Sequence, residues 1–294
     1  MQGPVAALLD GGTRLHLQHG PIDLIIGADA DTKTDAMRHR AFSAAAKRFE
    51  TVLERLVVDL VQHRSPLSPD TPQPTDPVAQ RMHHAARPFC EFGFLTPMIA
   101  VAGSVADEVL AAMLAAGPLD RAYVNNGGDI AVHLAEGAEF SVAMAEQAGA
   151  DLGRVRFGAD SGIGGIATSG AGGRSFSLGI ADSVTVLATS AAQADAAATL
   201  IANAVDLPNH AGIAHVPANT LQTDTDLGDR LVVADVPRLS FEERRAALAR
   251  GRRRAETMLN ADHIIGAAIF LQGESALAGG PFVAQSHVME MEHA

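Results

Sequence analysis

The first thirty residues alternate apolar and polar positions in short runs, which is the pattern of half-buried β-strands. Such runs occupy residues 5–9, 15–17 and 22–26, and the Asp-Gly-Gly sequence at 10–12 favours a hairpin turn between the first two. Between about 34 and 63 the apolar side chains recur at helical spacing instead. We therefore predict three strands followed by one long amphipathic helix.

Five prolines between residues 64 and 77 interrupt any regular element, so this segment is predicted to be a linker. Helices are expected after it at 78–86 and 98–116. Glycines then separate six short apolar runs. These predict strands at 122–124, 130–134, 140–144, 165–168, 174–178 and 183–188.

A helix at 191–205 follows the last of these strands, with Ser190 and Gln193 placed as a capping box. Beyond an acidic loop, the pattern predicts a helix at 241–260 and an apolar strand at 264–271. Neighbouring strands with helices before and after them indicate an α+β fold. We expect a layered mixed or antiparallel sheet with flanking helices.

Length and charge narrow the class of protein. The 294 residues can bury the core of one large domain, and we expect a single domain over 1–294 with the linker at 64–77. The formal net charge of −12 argues against a nucleic-acid surface. Arginines of the predicted helix at 241–260 are interspersed with glutamates, which is typical of a solvated face.

Two absences bear on the cellular location. Cys90 is the single cysteine, so the chain has no disulfide framework and no cysteine-based zinc site. The first residues lack a basic region followed by an apolar run, and no window approaches the roughly 20 apolar residues of a membrane span. We therefore expect a cytoplasmic protein with no membrane partner.

Two glycine-containing turns carry candidate chemistry. Asn125-Asn126-Gly127-Gly128-Asp129 lets backbone N–H groups approach a phosphate or a ring, with a carboxylate beside them. The triplet at 168–170, Thr-Ser-Gly, follows three glycines, so its backbone can also come close to a ligand. An ordinary explanation stays open for each: the first is also a strong hairpin signal, and the second is also a common polar turn.

Asp195 and Thr199 lie four residues apart on the predicted helix, so their oxygens share one face. A carboxylate and a hydroxyl in this arrangement suit a hard cation such as magnesium. The alternatives are structural. The helix dipole favours a carboxylate near a helix start by roughly 0.3–1 kcal/mol without any ligand, and a threonine can bond back to a carbonyl one turn earlier.

Together these motifs, over roughly residues 95 to 207, resemble the ApbE-like superfamily, whose best-known members are FAD:protein FMN transferases. The resemblance implies an ApbE-like, T-fold-like architecture and a site for FAD or FMN with magnesium. It assigns the metal to Asp195, Thr199 and the backbone carbonyl of Ala102, which lies in a small-residue turn at 101–107. The cofactor-binding residues that it implies are Asn125, Gly127, Gly128, Asp129, Thr168, Ser169 and Gly170.

Two departures from the family pattern separate nucleotide binding from transfer. Transferases of the family carry His-Ile-Ile-Asp-Pro before the strand at 183–188, and this supplies a candidate general base. The corresponding stretch from Arg174 to Asp182 holds neither histidine nor proline, which leaves Asp182 as the catalytic candidate. The lysine of the family's Ala-Lys-Gly turn is also missing, because Ala102 is followed by Gly103. The chain thus resembles a divergent, cytoplasmic branch of the superfamily.

We therefore expect a flavin-nucleotide-binding protein that resembles magnesium-dependent FAD:protein FMN transferases. Its partners would be a small-molecule nucleotide and, if transfer occurs, a flavin-accepting protein. One alternative is a non-transferase accessory enzyme of cofactor biosynthesis that binds another small cofactor in the same cleft. A structural or partner-binding protein with a vestigial site is the other. The sequence leaves the true substrate and the oligomeric state open, a homo-oligomer included.

Overall fold

The computed structural model describes residues 3–30, 34–145, 151–173 and 175–283. The helices in these ranges are α1 (Thr34–Phe49), α2 (Val52–Val58), α3 (Leu60–His63), α4 (Pro77–Ala86), α5 (Val101–Ala115), α6 (Ala191–Ala204), α7 (Ala218–Leu221) and α8 (Phe241–Asn260). The strands are β1 (Val5–Leu9), β2 (Arg14–His19), β3 (Ile22–Asp29), β4 (Arg121–Asn126), β5 (Asp129–Leu134), β6 (Glu139–Ala145), β7 (Asp151–Gly158), β8 (Gly165–Ser169), β9 (Ser183–Ala188), β10 (Ala214–Pro217), β11 (Leu231–Asp235), β12 (Gly266–Leu271), β13 (Glu274–Gly279) and β14 (Phe282–Val283).

Nine of these strands form one antiparallel sheet in the order β1-β2-β3-β4-β5-β8-β9-β12-β13. A small sheet contains β14, β7 and β6, and β10 pairs with β11. The expected α+β fold with a layered sheet and flanking helices is confirmed. Of the two sheet types predicted, the antiparallel one is observed throughout the described strands.

Different elements cover the two faces of the large sheet. Helices α1, α5, α6 and α8 pack on one face, which we call the helix face. The small sheet covers the opposite face, which we call the small-sheet face, through a cluster that includes Met144, Val155 and Phe157. Because β9 lies between both layers, all six of its residues are buried. The outer strand β2 alternates between more and less buried positions instead.

The predicted long helix at 34–63 is wrong in detail, because it is divided into α1, α2 and α3. The breaks fall at Glu50-Thr51 and at Asp59, whose φ of −108° and ψ of 24° are not helical. Val57 and Val58 precede the second break, and β-branched residues of this kind are weak helix formers. The linker is followed by α4, which begins at Pro77 because the Asp76 side chain accepts hydrogen bonds from its first N–H groups.

The predicted strand at 174–178 is also wrong, since residues 175–178 form no regular element; Arg174 lies outside the described residues. The sequence analysis did not predict five strands, namely β7, β10, β11, β13 and β14. β10, β11, β13 and β14 are short or lie at sheet edges, whereas β7 has eight residues and lies between β14 and β6. The remaining predicted strands and helices agree with the structure to within a few residues.

One helical segment corrects the expectation about membrane spans. Pro97–Ala115 has 19 residues and a mean hydropathy of 1.7, so by length and composition alone it could cross a membrane. In the described part of the chain it is the one such segment. Its α5 portion packs against α1, α4 and α6 and buries Val105, Val109 and Met113 completely or almost so. This is the packing of a core helix.

Candidate functional site

A cavity of about 620 Å³ lies at the end of the large sheet where the β4–β5 turn, the end of β8 and the start of β9 meet. We call it the sheet-end cavity. Its volume falls in the range of small-molecule sites. Nine of the eleven predicted site residues lie on its walls: Ala102, Asn125, Gly127, Gly128, Asp129, Thr168, Ser169, Gly170 and Asp182.

The other two predicted residues, Asp195 and Thr199, lie on α6 next to this wall. The Thr199 hydroxyl is 3.5 Å from that of Ser169. The carboxyl group of Asp195 accepts a hydrogen bond from the Gly103 N–H at 3.0 Å, beside the wall residue Ala102. It also interacts electrostatically with Asp129, another wall residue. The structure therefore brings all the predicted site residues to one end of the sheet.

The sheet-end cavity reaches both faces of the sheet. Directly paired residues on neighbouring strands share a face. Asn126 pairs with Asp129 on the helix face, where the Asn126 side-chain amide donates to the Ala102 carbonyl at 3.0 Å. Thr168 pairs with Thr185 on the small-sheet face, and their hydroxyls are 3.1 Å apart. A ligand in this cavity would pass over the sheet end from one layer to the other.

The β4–β5 turn has the hairpin geometry that its Asn-Gly sequence predicts. Gly127 and Gly128 have φ values of 67° and 115°, which favour glycine, and the Gly128 N–H donates to Asn125 Oδ1 at 2.9 Å. A Cβ atom at Gly128 would contact nothing within 4 Å, so the turn borders open space. The hairpin and the site explanations are therefore compatible at this position.

Gly170 has a different reason to be glycine. Its φ is 151°, and a Cβ atom there would lie 2.5 Å from the carbonyl oxygen of Asp182. The chain after β8 thus packs directly on the residue before β9, and the Ala171 N–H donates to the Ala181 carbonyl at 2.8 Å. This contact holds the exposed glycines at 172 and 173 over the sheet-end cavity.

The environment of Asp195 raises the pKa of its carboxyl well above the usual range. Burial is the main cause, and the carboxylate of Asp129 adds to it, whereas the Gly103 N–H opposes it. The residue as a whole remains partly exposed. A carboxylate, a threonine hydroxyl and a backbone carbonyl are all oxygen donors, which suits magnesium. A cation beside these two acidic groups would relieve their repulsion, so the residues present fit the implied metal.

Asp107 is a residue of this region that the sequence analysis missed. Its carboxylate accepts hydrogen bonds from the first N–H groups of α6, those of Ala191 at 3.0 Å and Ala192 at 2.9 Å. Burial outweighs these two bonds and raises the pKa of Asp107 to about 6. The sequence signal was an acidic pair, Asp107-Glu108, inside a helix whose other residues are apolar or small.

The N-terminus of α6 departs from the predicted capping box. Ser190 accepts from the Gln193 N–H at 3.2 Å as expected. The Gln193 side chain, however, accepts a hydrogen bond from the Thr189 hydroxyl at 2.8 Å, so it does not return to Ser190. Asp107 thus takes the place of the second capping partner.

Asp182, the catalytic candidate, lies on the cavity wall but is not a free carboxylate. One of its oxygens accepts a short hydrogen bond from the Gln272 N–H, and its own N–H donates to the Phe270 carbonyl at 3.0 Å. Burial raises the pKa of Asp182, and the Gln272 N–H acts in the opposite direction. The group is therefore a stronger base than an exposed aspartate, but one with restricted geometry.

Further wall residues were not predicted to belong to the site. Val142 and Met144 of β6 and Val155 of β7 supply an aliphatic wall, while Ser183 and Thr185 supply hydroxyls on the small-sheet face. No lysine, arginine or histidine is among the described residues on the wall. The described ranges also contain no group of three or more histidine, cysteine or acidic side chains that could hold a metal.

A family model described as AbpE bacteria matches residues 6–277 of this chain. The chain belongs to that family. The resemblance to the ApbE-like superfamily is thereby confirmed over far more of the chain than the motif-bearing region.

Several similar proteins carry the name UPF0280. A UPF0280 protein from Methanothrix thermoacetophila is 38% identical over 130 residues, which are 44% of this chain and 52% of that protein. A second, from Methanopyrus kandleri, is 39% identical over 129 residues, or 43% and 48% of the two chains. This chain therefore spans about half the length of these two relatives. The UPF0280 protein of Methanothermobacter thermautotrophicus is 29% identical over 267 residues, 84% of this chain and 91% of that protein.

Two solved structures align over nearly the whole chain. The flavin transferase ApbE from Vibrio cholerae has a TM-score of 0.44 and 13% identity, over 95% of this chain and 99% of that one. The apo form of the Pseudomonas stutzeri flavinyl transferase ApbE has a TM-score of 0.46 and 12% identity, over 94% and 93%.

Proposed function

We propose that this protein binds a flavin nucleotide, FAD or FMN, in the sheet-end cavity. The observation that carries the proposal is that one cavity of about 620 Å³ gathers the glycine turn at 127–128 and the polar turn at 168–170 beside the oxygen pair of α6. Glycine turns of this kind offer backbone N–H groups to phosphates. Membership of the AbpE bacteria family supports the same ligand class.

Magnesium is part of this proposal. Asp195, Thr199 and the Ala102 carbonyl would hold it on the helix face, where Asp129 also interacts with Asp195. Bound there, the ion would offset the charge of the nucleotide phosphates. The described wall offers acidic groups and no basic ones, so none of its described side chains would neutralise a diphosphate. We therefore expect nucleotide and magnesium to bind with positive cooperativity.

The residues around Asp182 favour a binding function over efficient FMN transfer. The stretch from 174 to 182 contains no histidine, and the Asp182 carboxylate is already engaged by the Gln272 N–H. This observation supports a second candidate, a non-transferase accessory enzyme that holds a flavin or a related cofactor. Both candidates use the same cavity, in a protein that we propose to be a single cytoplasmic domain.

The test begins with the visible absorbance spectrum of the purified protein, in which flavin bands are expected if the nucleotide co-purifies. Calorimetric titration with FAD, with and without magnesium, then measures the affinity and its dependence on the ion. FAD binding that tightens in magnesium supports the proposal. If neither FAD nor FMN binds in magnesium, a flavin nucleotide is not the ligand.

A further inference from the structure

Ser183 is a buried wall residue whose hydroxyl contributes no hydrogen bond to the described part of the fold. The side chain is 5% exposed, and its Oγ has no hydrogen-bond partner among the described residues. Thr185, two residues along the same strand, has its hydroxyl paired with Thr168 at 3.1 Å. A buried hydroxyl without a partner destabilises the folded protein relative to one that is hydrogen-bonded. Something that enters the sheet-end cavity is therefore expected to pair with Ser183.

The position of Ser183 points to the ring end of a nucleotide. Ser183 and Thr185 share the small-sheet face because alternate residues of a strand point to the same side. The aliphatic side chains of Val142 and Met144 line the cavity from the small sheet, which packs on this face. The predicted metal pair lies on the opposite, helix face of the sheet. The two ends of the cavity thus differ in chemistry: oxygen ligands at one, aliphatic surface with hydroxyls at the other.

The backbone beside Ser183 leaves room for a ring. On β8, Ser169 pairs with Val184, so the next residue toward Ser183 is Gly170, which has no side chain. The exposed glycines 172 and 173 also line the cavity here. No described residue ties the Ser183 hydroxyl to its present rotamer by a hydrogen bond, so the hydroxyl is free to turn about χ1 toward a ligand.

We propose that Ser183 recognises the isoalloxazine ring of the bound flavin nucleotide by a hydrogen bond to the polar edge of that ring. The inference rests on the proposed flavin-nucleotide function and adds an orientation: phosphates and metal on the helix face, ring on the small-sheet face. An isoalloxazine ring suits this end, since it has an apolar surface for Val142 and Met144 and a polar edge for a hydroxyl. A serine hydroxyl both donates and accepts, so it can pair with either kind of ring atom.

Ser183→Ala tests the inference with three probes, each in saturating magnesium: FAD, riboflavin, which has the ring without phosphates, and ADP, which has phosphates without the flavin ring. We expect the variant to bind riboflavin and FAD about five- to tenfold more weakly, the usual effect of one hydrogen bond. Its ADP affinity should stay within about twofold of the wild type. Quenching of flavin fluorescence measures the first two affinities, and calorimetry measures the third.

Ser104→Ala is the matched control. Ser104 is also fully buried and its hydroxyl has no partner among the described residues, but it is not on the cavity wall. Its variant should bind all three probes like the wild type. Neither variant should have a lower melting temperature than the wild type, because each loses an unpaired buried hydroxyl.

The outcomes separate the inference from the proposed function. Unchanged flavin affinity in Ser183→Ala, or an equal loss for ADP, overturns the assignment of Ser183 to the ring while FAD binding by the wild type stands. A wild-type protein that binds neither FAD nor riboflavin overturns the proposed function and the inference with it.

Discussion

Asp195 is the residue on which the proposed metal site depends. We expect Asp195→Ala to reduce the magnesium affinity in the presence of FAD or ADP by at least about tenfold, the loss seen even when an outer partner of a metal ligand is removed. Thermal unfolding measures this. The melting temperature of the wild type should rise more with magnesium and nucleotide together than the sum of the rises that each causes alone. The variant should show no such synergy.

The metal-free Asp195→Ala protein should remain folded, because the variant removes a carboxyl whose ionisation is already disfavoured by its surroundings. Asp235→Ala is a charge-matched control, since Asp235 is exposed and lies in β11 away from the described cavity wall. If magnesium and nucleotide stabilise Asp195→Ala with the same synergy as the wild type, Asp195 has a purely structural role near the start of α6.

Spacing predicted that Asp195 and Thr199 share one helix face, because residues four apart on a helix do so whatever the rest of the fold does; the family resemblance then suggested the metal for them. Ser183 and Asp107 could not be identified in this way. Ser183 stands out only because its buried hydroxyl has no hydrogen-bond partner among the described residues. Asp107 stands out only because it accepts hydrogen bonds from the first N–H groups of α6, which are 84 and 85 residues away. Such contacts are set by tertiary packing, which a local pattern does not contain.

At the scale of elements, the crossing of α5 and α6 places the proposed metal ligands relative to one another. A Cβ atom at Gly103 would lie 2.3 Å from the carbonyl oxygen of Ala191, and backbone cannot move aside as a side chain does. We expect Gly103→Ala to destabilise the protein by about 1–3 kcal/mol despite the higher helix propensity of alanine. It should also weaken magnesium binding, because it separates Ala102 from Asp195.

Denaturant unfolding and magnesium titration measure the two effects of Gly103→Ala. Gly251→Ala in α8 is the comparison, since its new Cβ would meet the side chain of Val205 at 2.4 Å and no backbone atom. That variant should cost less stability and leave magnesium affinity unchanged. A Gly103→Ala protein as stable as the wild type would show that the helices can separate freely, and that the crossing does not fix the site.

The cap that Asp107 provides for α6 predicts a specific dependence of stability on pH. Its pKa is raised from 3.8 to about 6 in the folded protein, so folding favours the protonated carboxyl. This contribution is fully present below the unfolded value and is lost as pH rises through about 6. A shift of this size corresponds to about 3 kcal/mol.

Urea unfolding of metal-free protein between about pH 4 and 7 tests this linkage, with Asp107→Asn as the comparison because asparagine does not titrate. The free energy of unfolding of the wild type should fall relative to that of the variant up to about pH 6 and then run parallel to it. A constant difference across this range would show that the two α6 N–H groups fully compensate the burial of the carboxylate.

Elements with strong periodicity were predictable, and those that depend on their neighbours were not. The bounds of α8 follow from its apolar spacing and its Ser240–Glu243 capping box, both of which are local. The strand β7 was missed because its alternation of exposed arginines with buried Val155 and Phe157 runs over only four residues, 154–157; its full length is defined by pairing with β6. The prediction of one continuous helix at 34–63 was wrong as well, because apolar spacing predicts which face is buried but not where the helix is interrupted.

At the scale of the whole molecule, the order of strands in the large sheet determines which residues meet at the site. Its strands bring the β4–β5 turn, the β8 turn and α6 to one sheet end, although about 70 residues separate Asp129 from Asp195 along the chain. The order of the strands was not predictable from the sequence, so the convergence followed only from the family resemblance. The sequence analysis did not predict the aliphatic wall on β6 and β7. The small sheet reaches the cavity by packing on the large sheet, and a local sequence pattern contains no information on such packing.

The cavity, the proposed metal ligands and the environment of Asp182 together predict nucleotide binding with weak or absent FMN transfer. In the transfer reaction a hydroxyl of the target attacks the FMN phosphorus of FAD, AMP leaves, and a base accepts the hydroxyl proton; a positioned base contributes ~10²–10⁴-fold. Burial raises the pKa of Asp182 toward the range useful to a base, but one of its oxygens is held by the Gln272 N–H.

Incubation with FAD, magnesium and a flavin-accepting protein, followed by in-gel flavin fluorescence, measures the transfer. We expect labelling roughly 10²–10⁴-fold slower than with a transferase that has a positioned histidine, while FAD binding persists, because binding requires the cavity and the metal ligands but no proton transfer. Fast labelling that Asp182→Asn abolishes would instead identify Asp182 as a working base, and the protein as a transferase that replaces the histidine with a buried aspartate.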